Sequence, residues 1–408
     1  MNNSHNVQSR VSKLVASLAS VLIFNNVAAN ELTAELGLEA QLFAKPPLHK
    51  EQTRHNASAS LKLEYYHDWD DGNKRIAFTG FGRYDANDSE RTHGDIRELY
   101  YWQAFDNYIE FYAGLRHVFW GVTETKHLVD VINQTDAVEN IDGEDKLGQP
   151  MISVLMERDW GTLEGFALFG FRERNFAGLE GRLRSPLPIN QDDALFQSSA
   201  EQEHVDWALR WSHVIGDWDI GLSHFSGTSR DPLFIPELND STGSVESLTP
   251  YYEQIEQTGL DVQATKGAML WKLEAISVAH RNAGRNTALV GGFEYTLYGI
   301  LDSDIDLGLL MEYQFDDRSG IRQTANQNDI ALGMRYAFND VAGTEVLAAL
   351  SIDLDNQSRF YSIEASRRLN NDWSLAAEAR IFSSMDAQDP AFALRNDDYL
   401  QIELRRFF

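Results

Sequence analysis

The 408-residue sequence contains no cysteine, which excludes disulfide staples, a cysteine-linked lipid anchor and thiolate metal sites. Long apolar runs are also missing. Apart from Leu14 to Phe24, no stretch approaches the roughly 18 uncharged apolar residues that a membrane-crossing helix needs. Positive charge is scarce as well: 35 Lys and Arg against 62 Asp and Glu give a net charge of −27. Removing residues 1–29, which hold Arg10 and Lys13 and no acid, makes the remainder more acidic still. Such a balance argues against binding nucleic acid or an anionic membrane surface through a basic patch. With 24% charged residues the composition reads as soluble.

What the sequence has is a persistent period of two. Leu32, Ala34, Leu36, Leu38, Ala40 and Leu42 alternate with Thr33, Glu35, Gly37, Glu39 and Gln41, so a strand here would be apolar on one face and polar on the other. Similar segments fall near 31–44, 54–69, 73–85, 93–105, 107–119, 149–158, 162–174, 201–213, 218–227, 253–265, 268–280, 286–299, 303–316, 327–338, 343–355, 357–369, 373–385 and 395–408. That predicts about eighteen strands, or sixteen if one hairpin merges, each long enough to cross a bilayer when tilted. Tight turn chemistry at Asp71-Gly72-Asn73, Asp106-Asn107, Asp159-Trp160-Gly161, Gly216-Asp217, Lys266-Gly267, Asp302-Ser303 and Asn370-Asn371-Asp372 alternates with long connections at 120–148, 175–200 and 228–252. Short turns on one side and long loops on the other are the pattern of an all-β, antiparallel, up-and-down transmembrane barrel. Trp102, Trp160, Trp218 and Trp373 lie beside the tight turns, where an aromatic girdle would sit. Two or more soluble β-sandwiches would alternate similarly, but no linker or composition break divides the chain.

Residues 1–29 read as a signal peptide: a basic start, a short apolar core and the small residues Val27-Ala28-Ala29. Residues 30–408 are then one barrel with an inserted loop at 120–148. At the other end Leu400, Ile402, Leu404 and Phe408 share the apolar face of the last strand, against Gln401, Glu403 and Arg405. This ending resembles the C-terminal strand of Gram-negative outer-membrane barrels. The resemblance implies that these four residues are an assembly signal for the barrel-assembly machinery, and that outer-membrane lipid and lipopolysaccharide are neighbours. Arg406 departs from that pattern, being charged on the lipid-facing parity, and is expected to snorkel to the headgroups.

If the apolar face meets lipid, the other face lines the interior. That puts Glu110 and Arg116, Asp206 and Arg210, Lys272 and Glu274, Glu312, Arg335, Glu378 and Arg380 inward, a wall of mixed sign that a hydrated pore tolerates. Gly114 to Glu124, with Trp120-Gly121, leads to Asp130-Val131-Ile132-Asn133-Gln134-Thr135-Asp136, and Arg97-Glu98-Leu99-Tyr100 lies on the preceding strand. Over these roughly forty residues the chain resembles a poorly characterised family of porin-like proteobacterial outer-membrane proteins. The resemblance implies a channel of unassigned solute in the outer membrane of a Gram-negative bacterium, not an enzyme, and leaves a homotrimer open. A thirty-residue loop with its own apolar cluster (Leu128, Val129, Val131, Ile132) is long for a free connector. Folded inward it would be a constriction, with Glu124, Asp130, Asn133 and Asp136 at the eyelet and Arg97 and Arg116 on the facing wall.

The expected function is diffusion of small polar solutes with a weak cation preference drawn from the net charge. No cofactor or metal motif is present; the twelve-residue calcium loop is absent. Ser212, His213, Ser223, His224, Asp206 and Asp219 cluster near one hairpin and make a barrel hydrolase the second reading, but the serines and histidines fall on opposite parities. A plugged barrel serving as adhesin, receptor or scaffold is the third.

Overall fold

A computed structural model describes residues 30–239 and 241–408; the expected signal peptide lies outside them. In chain order the strands are β1 (Asn30–Phe43), β2 (His55–Trp69), β3 (Lys74–Asp85), β4 (His93–Phe105), β5 (Ile109–Arg116), β6 (Gln149–Arg158), β7 (Gly161–Leu168), β8 (Leu195–Phe196), β9 (Asp206–Ile215), β10 (Trp218–Thr228), β11 (Leu233–Leu238), β12 (Val245–Tyr252), β13 (Gln254–Lys266), β14 (Met269–His280), β15 (Gly284–Leu297), β16 (Asp306–Asp316), β17 (Asn328–Ala337), β18 (Glu345–Asp353), β19 (Arg359–Arg368), β20 (Trp373–Ser383) and β21 (Tyr399–Phe407). Eighteen of these form one antiparallel sheet, and β8, β11 and β12 form a separate small one. Each barrel strand pairs with the barrel strands that precede and follow it in the chain, β7 with β9 and β10 with β13 where the small-sheet strands intervene. The sheet closes through β1 and β21, with Leu38 opposite Leu404 and Ala40 opposite Ile402. Closure leaves no free edge in the wall.

Local chemistry explains the turns. Between β2 and β3, Asp70 and Asp71 adopt φ of 57° and 54° and Gly72 follows at 84°, a left-handed run that aspartate and glycine tolerate better than other residues. The pleat then sends Leu38, Leu42, Leu400 and Ile402 outward, each about half exposed, while Glu39, Gln41 and Glu403 are buried inside. An outer surface this apolar matches acyl chains rather than water. Arg406 lies over the rings of Trp373 and Phe408, opposite Trp373 in register, next to a tight turn. Trp218 and Trp160 are also exposed near tight turns. Trp102 is not in that girdle: it points inward and donates its indole N–H to the half-buried Glu110 at 3.0 Å.

The interior is not the evenly hydrated wall the alternation predicts. Trp120, Leu128, Val129, Val131 and Ile132 of the loop after β5 pack inside the barrel against Met151, Phe166, Leu168, Phe225, Ile276 and Val290. The inward faces of β6, β7, β9, β10 and β13 to β15 therefore bear a dry core. Val129 and Ile132 are fully buried, each contributing about 1.5–3 kcal/mol of transfer free energy. The remaining open lumen is displaced toward β1 to β4 and β21.

The small sheet and the segment before it roof the outer mouth. Arg182 reaches across to the closing seam, pairing with Asp397 at 2.7 Å and donating to the carbonyls of Thr53 and Asn396. Both members of that pair are almost wholly buried.

Candidate functional site

The loop 117–148 is held inside the lumen by two carboxylates of the far wall. Glu274 on β14 accepts hydrogen bonds from Val122 N at 2.7 Å, Thr123 N at 3.0 Å, Thr123 Oγ1 at 2.7 Å and Val129 N at 3.2 Å. Glu312 on β16 accepts from Glu124 N at 2.8 Å, Thr125 N at 2.9 Å and Thr125 Oγ1 at 2.6 Å. Neither side chain retains any exposure. Amide N–H and hydroxyl donors thus replace the water that a buried carboxylate would otherwise lose. Gly121 makes the approach feasible: a Cβ there would stand 3.0 Å from Glu274 Oε1 and 2.9 Å from His127 Nδ1.

The near side is fastened differently. Asn133 donates to the carbonyls of Arg116 and Leu147, both at 2.9 Å, and accepts from Val118 N at 2.9 Å, so one amide staples the two stems of the loop. Asp136 meets Arg97 at 2.8 Å, and Glu139 meets Arg83 at 2.7 Å. Burial pushes the Asp136 carboxyl up, but His93 and Arg97 outweigh it and hold it below the usual carboxylate range. His93, Asp136 and Glu139 are close enough for a metal triad. Both carboxylates already face guanidinium groups, so the donor set suits an ion-pair cluster better than a cation.

Two cavities meet at this loop. An outer one of about 620 Å³ lies under the roof, and an inner one of about 480 Å³ lies against β1 to β4 and β21. Asp130, Asn140, Glu144 and Lys146 line both. Lys146 pairs with Asp130 at 3.3 Å and His127 with Glu144 at 3.1 Å. Burial opposes protonation of His127, yet Glu144 and Glu274 lift it to about 10, so the ring stays cationic at neutral pH. Burial, then Glu139, push Asp145 up to about 6 against the pull of Arg97.

Of the residues singled out in the sequence, Asp130 lines the junction and Arg97 the inner cavity. Asn133 is closed off between the stems of the loop, and Asp136 against Arg97 of β4. Glu124 sits by the far wall, in contact with Arg335 and 3.5 Å from Lys272. Arg116 pairs with Glu164 at 2.8 Å and Arg210 with Asp261 at 2.7 Å; both line a third cavity of about 290 Å³ beside Phe119. Glu110 accepts from Tyr112 at 2.7 Å. Arg380 is buried against Glu364 at 2.6 Å and Glu378 at 3.2 Å, with Asp142 of the loop at 3.6 Å. Sequence reasoning missed Asn140, Glu144 and Lys146, although 139–146 is the most densely charged part of the loop. The hydrolase set does not assemble: Ser223 is buried inside, whereas His224 faces out against Trp207.

No family model matches the sequence, and no curated protein matches it. Solved structures do. A BenF-like porin from Pseudomonas fluorescens Pf-5 is similar over 93% of this chain and 97% of its own, at 11% identity and a TM-score of 0.55. Acinetobacter baumannii OccAB3 is similar over 93% of this chain and 99% of its own, at 11% identity and a TM-score of 0.51. With the closed eighteen-stranded sheet, these likenesses establish that the chain has the barrel fold of bacterial porins.

Proposed function

We propose that the chain is an outer-membrane diffusion channel for small polar solutes, with loop 117–148 as its constriction and Asp130, Asn140, Glu144 and Lys146 as the neck. The reading rests on one observation: those four residues border the outer and the inner cavity at once. A solute moving between the cavities passes charges of both signs, which suits hydrated polar molecules over apolar ones. Acids outnumber bases around the inner cavity, where Glu35, Glu39, Glu64, Glu98, Asp145 and Glu403 join the neck acids. That excess supports a weak preference for small cations.

Planar-bilayer recording tests the proposal. Deleting 124–145 should raise single-channel conductance and weaken cation preference. Unchanged conductance in a correctly folded deletion variant refutes the constriction, and a silent wild-type barrel refutes the channel.

A further inference from the structure

The outer cavity contains an arrangement that a passive wall does not need. Asp231, in the connection between β10 and β11, places its carboxylate 2.8 Å from Arg174 and 3.5 Å from Arg318. Its side chain is 63% exposed to the cavity. Lys126 lines the same cavity and pairs with no carboxylate among the described residues. The floor beneath is apolar, formed by Leu128, Val131, Ile276 and Val278. Of the other cations here, Arg230 holds Asp206 at 2.8 Å, Lys146 holds Asp130 at 3.3 Å, and Arg184 donates to the Ser185 carbonyl at 2.9 Å.

We propose that Lys126, Arg174 and Arg318 form a binding subsite for the anionic group, carboxylate or phosphate, of a permeating solute, and that the Asp231 carboxylate occupies it as an internal competitor. This deepens the channel reading above and rests on it. Two guanidinium groups facing one open carboxylate, with Lys126 on the same cavity wall, make a fork for a planar or tetrahedral oxyanion. The competitor belongs to a surface connection and needs only to swing aside, leaving the strands in place. Being open to water, it exchanges against a solute at little desolvation cost. Because Arg318 is also clamped by Asp316 at 2.6 Å, its guanidinium stays in place when Asp231 leaves. A held anion stands in the entry path, so it blocks the cation current without itself crossing quickly.

The test uses the folded full barrel in planar bilayers with potassium as carrier. Sodium acetate and inorganic phosphate are added separately on the side of the long loops, and tetramethylammonium serves as a cationic control. Asp231→Asn, which keeps shape and removes the competing charge, should lower the half-blocking concentration of at least one anion by about tenfold, as expected when a self-occupied site is freed. Lys126→Met should raise it. Whichever anion responds identifies the group; response to both indicates a general oxyanion site. If Asp231→Asn blocks at the wild-type concentration with both anions, the inference is overturned and the channel stands. If tetramethylammonium shifts in step with the anions, the effect is general electrostatics and the inference is overturned as well. A wild-type barrel that carries no current refutes the channel reading first.

Discussion

The double variant Glu274→Gln/Glu312→Gln probes the inward fold of loop 117–148 without altering its sequence. At Glu274 three donors converge on Oε1, and Val129 N points at Oε2. Glutamine keeps one acceptor oxygen but turns an amide N–H toward Val129 N, replacing a hydrogen bond by two opposed donors. Hydrogen bonds to a charged acceptor are worth about 1.5–3 kcal/mol and neutral ones about 0.5–1.5 kcal/mol. Weakening three and losing one at Glu274 alone thus costs about 4 kcal/mol of anchoring, a factor of about a thousand in the docked-to-released ratio. Glu312 adds three more bonds to Glu124 and Thr125. The apolar packing of Val129 and Ile132 opposes release, so the expected signature is intermittent opening: single-channel noise above wild type and excursions to higher conductance. Heat-modifiable gel mobility confirms that the barrel has formed. A folded double variant whose conductance and noise equal those of the wild type refutes the claim that these two carboxylates hold the loop.

Three further outcomes follow from other parts of the molecule. Arg182→Ala leaves Asp397 buried without its partner, a loss of about 3–5 kcal/mol, and should speed proteolysis within 175–190 while barrel mobility in gels is kept; an unchanged cleavage rate removes the latch. Asp145, lifted to about 6 by burial and Glu139, is neutral below that pH and charged above it, so cation preference should rise as pH increases through 6. A flat reversal potential from pH 5 to 7.5 in a salt gradient contradicts that assignment. Phe408→Ala should slow assembly, read as the heat-modifiable fraction at a fixed time after membrane insertion begins; an unchanged fraction argues against Phe408 as part of an assembly signal.

The wall was legible because every strand faces two different media, and the resulting period of two survives in segments such as Leu32 to Leu42. Turn residues marked the breaks to within a few positions, and all eighteen barrel strands overlap the predicted segments. Three features were not legible for physical reasons. The lumen core hides because inward Phe166, Ile276 and Val290 sit among outward apolar neighbours, so their strands lose contrast between faces. The small sheet hides because Leu233–Leu238 and Val245–Tyr252 are short and separated by a polar tip. The proposed neck hides because charge alone does not say whether Glu144 meets a cavity or Asp136 meets an arginine. That distinction depends on which stem of the loop lies against the wall. The Asn133 to Asp136 motif was visible, but its use in stapling the stems appears only once the chain is folded.

The seam sets the order of assembly. Gln41 and Gln401 touch at 2.7 Å across a separation of 360 residues, so almost the whole polypeptide must be exported before its two end strands can meet. Until then β1 and β20 each carry a row of unsatisfied amides and carbonyls, which makes the unfinished sheet adhesive toward any other strand. Loop-closure entropy and high contact order both make this last pairing slow. The vulnerable species in the life of the protein is therefore the nearly complete one: seventeen strands in place and a cleft still waiting for its final stave.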